Sequence, residues 1–248
     1  MAGTAVLGRL TWLVAEVVEA HMETPHVRTL VLEVSGWNVH RPGQHVDVRL
    51  TAEDGYQAER SYSIASSPGE PPAITVERLE DGEVSPYLVE EAAPGDRFEL
   101  RGPIGGYFVW EAVGAVDPLL LVAGGSGVVP FRSMLRHRAD VGSTVPTQLL
   151  YSSRTFEDLI YREELDELGA RDDGLEVIET LTRAQPPGWT GRSGRVDVEL
   201  LREVAFPAEQ EPRVYVCGPT SFAESVADGL VGVGHKPGRI RIERFGGT

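Results

Sequence analysis

The stretch VAGGSGVVPFRSML (122–135) reads as a strand end, a glycine turn and the first turns of an apolar helix. Free amides at a helix N-terminus attract anions, so a phosphate is expected there. The stretch matches neither common phosphate fingerprint. It lacks the third glycine spacing of G-x-G-x-x-G and carries no Gly-Lys-Ser/Thr of a P-loop. Gly124, Gly125 and Gly127 taken alone describe a βα turn with permissive glycines.

The pattern around this turn continues to the C-terminus. PLLLVAG, TQLLYSS, LEVIETL, RVYVCG and RIRIERF are compact strand candidates. VPFRSMLRHRA, YREELDELGA and GRVDVELLREV lie between the first four as helical stretches, and SFAESVADGLVGV follows Cys217. Strands and helices in alternation predict a doubly wound parallel sheet, with ligands beyond the carboxyl ends of its strands. Upstream the period differs. TWLVAEVVEA, RTLVLEVS, QHVDVRL, ERSYSIAS, AITVERL and DRFELRG are short β-rich runs parted by Gly, Pro and acidic turns, which predict an antiparallel β-barrel. Within GEVSPYLVEEA, Ser85 is expected to cap a short helix with Pro86 at its first position. The expected division is 1–111 for the barrel and 112–248 for the α/β unit.

Bulk properties exclude several classes. With 38 acidic against 23 basic residues the net charge is −15, which argues against nonspecific binding of nucleic acid or of an anionic membrane. No apolar run approaches the ~20 residues that span a bilayer. The N-terminus lacks the layout of an export signal, and Cys217 is the single cysteine, so the cytoplasm is the expected compartment. The six histidines show no paired metal-ligand spacing, so no metal is expected. No G-x-S-x-G elbow surrounds Ser63, Ser66 or Ser67, which removes serine-hydrolase chemistry.

Six motifs in order resemble the ferredoxin–NADP⁺ reductase superfamily, over almost the whole chain. RSYSIASS is similar to that family's Arg-x-Tyr-Ser flavin motif, and GEVSPYL with APGD and RGPIGGYF to its pyrophosphate helix and following turns. AGGSGVVPFRSML resembles the nucleotide loop, VYVCGPTSF the nicotinamide-side segment, and IERF the C-terminal strand. The resemblance implies FAD on the barrel and a nicotinamide nucleotide on the sheet. Arg60 would bridge pyrophosphate oxygens with its forked cation, and the amides of Val84 and Ser85 would complete that site. Tyr62 would lay its ring on the isoalloxazine, and Ser63 would bond the flavin N5 edge. Amides following Gly124, Gly125, Ser126 and Gly127 would cradle the nucleotide pyrophosphate. Cys217, with Gly218 and Pro219, would border the nicotinamide, in a role of shape rather than nucleophilic attack. Glu243 supplies the family's carboxylate near the flavin. Phe245 is either a displaceable lid over the flavin or the packed end of the last strand.

Arg154, Arg183 and Arg192 stand at the carboxyl ends of strands or in the loops they feed, and resemble the 2′-phosphate arginines of the NADP-dependent branch. Three guanidiniums favour NADPH over NADH, because a dianion rewards several charge-assisted bonds. The resemblance thus implies an FAD-dependent NADPH reductase delivering electrons to an external acceptor protein such as ferredoxin or flavodoxin, since the sequence holds no cluster-binding cysteines. The alternatives are the reductase component of an oxygenase, a small-molecule or flavin reductase, and a non-catalytic flavin- or nucleotide-binding sensing subunit. Arg9, Arg28, Arg41 and Arg49 are candidates for a local basic patch facing an acidic carrier.

Overall fold

Alternation of buried and exposed residues along the first hundred positions has period two. Ala15 and Val17, Val46 and Val48, and Phe98 and Leu100 all turn inward. In the computed structural model, which describes residues 10–246, these runs form β1 (Leu13–Thr24), β2 (Val27–Val34), β3 (His45–Thr51), β4 (Gln57–Ser63), β5 (Ala73–Glu77) and β6 (Arg97–Ile104). Their order is β4-β3-β6-β1-β2-β5, all antiparallel. The sheet curls until its edges meet at one bridge, Ile64 to Ile74. That contact makes it the expected barrel, filled by Leu30, Leu32, Ile74, Leu88 and Leu100.

The helix expected after Ser85 is a single π-helical turn, Tyr87–Glu91, entered through Pro86. Ser85 does not cap it. Its hydroxyl instead accepts the Leu79 amide at 3.1 Å, which fastens the turn to the preceding loop.

In the second half the strands build a sheet whose centre is continuously apolar, as suits a sheet covered on both faces. They are β7 (Leu119–Gly124), β8 (Thr147–Ser153), β9 (Leu175–Leu181), β10 (Arg192–Ser193), β11 (Arg213–Pro219) and β12 (Ile240–Phe245), and every pair is parallel. Along β7, Leu119, Leu121 and Ala123 enter one core and Leu120 and Val122 the other. α1 (Val129–Asp140) and α2 (Arg162–Gly169) cover the first face; α3 (Val198–Val204) and α4 (Thr220–Gly232) cover the second. α3 starts at Val198, later than the sequence pattern suggests, because Asp197 caps it by accepting the Leu200 amide at 2.9 Å. The strand order β10-β9-β8-β7-β11-β12 reverses between β7 and β11, so the ligand crevice belongs at their carboxyl ends.

The two sheets share a core. Ala65, Ala73, Phe108 and Trp110 pack in the same cluster as Phe131, Met134 and Tyr215. Polar contacts fix the docking angle. The Tyr215 hydroxyl donates to the Val109 carbonyl at 2.7 Å, Ser133 donates to the Ser66 carbonyl at 2.6 Å, and Tyr161 bonds Thr75. Among the described residues no helix is long and apolar enough to cross a membrane.

Trp110 is 2% exposed at this junction, so truncation would empty a large part of the shared core. Trp110→Ala is expected to cost about 3–5 kcal/mol in equilibrium denaturation. A loss below about 1 kcal/mol would mean the two sheets do not depend on one core.

Candidate functional site

The crevice at the β7–β11 reversal is built by glycines with different tasks. Gly125 has φ +55° and open space where a Cβ would stand, so its backbone faces the crevice directly. Gly127 is closed in. A Cβ there would lie 2.1 Å from the Cys217 carbonyl oxygen and 2.8 Å from the Gly218 amide nitrogen. Gly124 and Gly218 make room for the Phe222 ring, which a Cβ on them would meet at 2.8 and 2.6 Å. The chain then runs through a 3₁₀ turn, Gly125–Val128, into α1, while α4 begins just after Pro219. Two helix starts therefore open onto one cleft of about 410 Å³, which Gly125, Ser126, Ser221 and Phe245 help to line. Across the cleft, Ser126 donates to Glu77 of the barrel at 2.7 Å.

The arginines at this edge divide. Arg154, following β8, lines the cleft. Arg183 lies exposed beside it, its amide donating to the Arg154 carbonyl at 2.9 Å. Arg192 does not join them. Its guanidinium pairs with Glu203 of α3 at 2.7 Å and lines a separate groove with Gln148 and Glu176. Arg195, which sequence reasoning passed over, lines the cleft. The signal available was Gly194 immediately before it, whose φ of +103° redirects the chain. Asp158 also lines the cleft, accepting the Thr155 hydroxyl at 3.0 Å.

On the barrel side, Arg60, Tyr62 and Ser63 occupy β4 and its end. Tyr62 packs against the barrel core, and burial drives its phenol far above the usual range, so the hydroxyl stays neutral. Arg60 is exposed and holds Glu83 at 3.0 Å. Exposed pairs of this kind contribute ~0–1 kcal/mol, so a pyrophosphate can take over the guanidinium. Val84 and Ser85 are buried at the start of the π-helical turn, where first-turn amides have no partner within the helix. These groups suit a pyrophosphate-bearing flavin.

The parallel register of β11 and β12 sets Cys217 opposite Glu243 and Pro219 opposite Phe245. Burial alone raises the Glu243 carboxyl to about 7, and burial pushes the Cys217 thiol well above its usual value. A protonated thiol is a poor nucleophile, which leaves Cys217 a packing role. Phe245 both packs on the shared core and lines the cleft. Of the arginines proposed for a basic patch, Arg28 donates to the Val89 carbonyl, Arg41 pairs with Glu111 and Arg49 with Glu99, while Arg9 lies outside the described residues.

Comparison with known proteins gives matches over both halves. Residues 15–109 match the oxidoreductase FAD-binding domain and residues 121–228 the oxidoreductase NAD-binding domain. The chain is 35% identical over 242 residues to ferredoxin–NADP reductase B of Sorangium cellulosum, covering 93% of this chain and 96% of that protein. It is 34% identical over 212 residues to the glycine betaine monooxygenase reductase subunit of Chromohalobacter salexigens, covering 84% of this chain but spanning only 56% of that relative's length. The FAD/NAD-binding domain of nitric oxide dioxygenase from Vibrio cholerae superposes with TM-score 0.84 at 25% identity, covering 95% of this chain and 99% of that one.

Two outcomes follow from the geometry. Gly127→Ala is expected to cost about 3 kcal/mol or more by overpacking against the β11 backbone, and more than Gly125→Ala, whose methyl group meets open space and carries only the ~1–2 kcal/mol strain of a left-handed φ. Equal thermal midpoints for the two variants would contradict this. The folded Glu243 carboxyl keeps its proton up to about pH 7, whereas its ordinary value is 4.5. The folded state thus holds the extra proton between those values, and this group's contribution to stability falls as pH rises across that window. Glu243→Gln should remove that loss, so the variant gains on the parent from pH 5 to pH 7.5 in thermal melts; parallel curves would refute the assignment.

Proposed function

We propose that this chain, which belongs to the ferredoxin–NADP⁺ reductase superfamily, is an FAD-dependent NADPH reductase that passes electrons to a separate acceptor protein. Its division into an FAD-binding unit (1–111) and a nucleotide-binding unit (112–248) is part of that reading. The observation that carries it is the cleft at the β7–β11 reversal, where an open glycine backbone, two helix starts and Arg154 meet beside Phe245. This is an arrangement for a phosphate-bearing dinucleotide.

FAD, when bound, supplies the conversion between a two-electron donor and one-electron acceptors. The chain's own residues do the rest. Arg60 with the amides of Val84 and Ser85 would hold the flavin pyrophosphate, while Tyr62 would support the ring system and Ser63 would hydrogen-bond its edge. Gly124, Gly125, Ser126 and Gly127 receive the NADPH pyrophosphate, while Cys217, Gly218 and Pro219 shape the nicotinamide position. Glu243, poised near neutrality, holds or releases a proton there. Arg154 and Arg183 favour the 2′-phosphate of NADPH. Asp158 in the same cleft favours the ribose hydroxyl of NADH.

A ferredoxin or flavodoxin is the acceptor best supported, since the ferredoxin–NADP reductase relative is matched along nearly its whole length. The oxygenase-component reading rests on relatives such as the glycine betaine monooxygenase reductase subunit, of which the chain spans about half. The cytoplasm is the proposed compartment, in keeping with a free, buried Cys217 thiol.

Arg154→Ala is expected to raise the KM for NADPH about tenfold or more in acceptor-reduction assays, and to leave that for NADH within about twofold. Equal losses with both nucleotides would overturn the NADPH reading. Absence of NAD(P)H-dependent reduction of any carrier or dye by FAD-loaded protein would overturn the reductase reading.

A further inference from the structure

We infer that Glu77 is a built-in anion that competes with the nucleotide's pyrophosphate for the loop after β7, and so sets how tightly the nucleotide is held. The inference rests on the reading of that loop as the pyrophosphate cradle. The position of Glu77 follows from the strand that carries it. Residues two apart in a strand share a face. Thr75 of β5 faces the α/β unit, where Tyr161 bonds it, and Thr29 of β2 holds the same hydroxyl at 2.8 Å. Glu77 therefore faces the α/β unit too, two residues further along, with Val27 beside it in register. There its carboxylate accepts the Ser126 hydroxyl at 2.7 Å, and it lines the cleft with Gly124, Gly125 and Arg154.

Docking of the two sheets does not rest on this bond, since Ser133, Tyr215 and Tyr161 tie them elsewhere. Nor is the carboxylate neutralised by a neighbour. Among the described residues Glu77 enters no ion pair, and the adjacent Arg78 is held by Glu90 instead. An unpaired carboxylate thus stands against the loop whose free amides attract anions. A pyrophosphate seated on Gly125 and Ser126 has to take the Ser126 hydroxyl from Glu77 and remain close to its charge. Like charges a few ångströms apart at a partly exposed site repel appreciably, so the carboxylate loosens the pyrophosphate. A nucleotide without a pyrophosphate meets no such competitor. The gain is faster release, which serves an enzyme whose turnover waits on product departure.

Equilibrium titration of the FAD-loaded protein with 2′-phospho-ADP-ribose, and with 2′-AMP as the ligand lacking a pyrophosphate, tests this. Glu77→Gln keeps an acceptor for Ser126 and removes only the charge. It is expected to tighten 2′-phospho-ADP-ribose about fivefold or more and to leave 2′-AMP within about twofold. Glu77→Lys should tighten 2′-phospho-ADP-ribose further, because repulsion becomes attraction. Dissociation of this ligand from Glu77→Gln, followed by stopped flow, should slow by a similar factor, since local contacts act mainly on release. An unchanged or weaker affinity for 2′-phospho-ADP-ribose in Glu77→Gln, or equal tightening of both ligands, overturns the inference and leaves the nucleotide site standing. A parent protein that binds neither ligand would overturn the reading of the cleft itself, and this inference with it.

Discussion

The contact on which the rest depends is the one between Gly127 and the peptide joining Cys217 to Gly218. With only a hydrogen at that position, the loop leaving β7 lies directly on the carboxyl end of β11. This proximity holds the β7 loop and the α4 start at one edge, and it leaves Gly125 facing outward with nothing over it. On the same stretch of β11, the parallel register of β12 sets Glu243 opposite Cys217 and Phe245 opposite Pro219. Two glycines two residues apart therefore do opposite work: one allows backbone to meet backbone, the other leaves backbone free to meet a ligand.

Electrostatics completes the design in an acidic chain. Most arginines are spent on nearby carboxylates, such as Arg136 between Glu70 and Glu164, or Arg138, 1% exposed, on Asp173. Arg154 and Arg195 escape this because they leave the carboxyl edge of the parallel sheet. Arg154 and Arg195 balance Glu77 and Asp158 along the cleft, which is thus formally neutral in a protein of net charge −15, and long-range repulsion is screened beyond about 10 Å at ordinary ionic strength. The opposite device appears at Glu243, where burial raises a carboxyl to about 7.

Much of this was legible in the sequence. Each half announced itself by period: alternation in Ala15, Val17, Leu30 and Leu32 for the barrel, and unbroken apolar runs such as LLLV and VYVC for the parallel strands. Arg154 could be placed because a strand end determines where its next residue goes. Arg192 could not, because its direction is set by Glu203, a residue of a separate helix. Nor could the π-helical turn, where Ser85 serves the Leu79 amide rather than the helix it precedes. Local signals such as caps and short strands fail where a contact distant in the chain competes for the same group.

The account stands most directly on whether NADPH reduces a flavin bound to this chain. An anaerobic titration of the FAD-loaded protein, followed by flavin absorbance, measures it. The account predicts complete bleaching near one equivalent of NADPH, and a markedly higher requirement for NADH. A protein that binds no FAD, or whose flavin absorbance neither nucleotide changes, would contradict it.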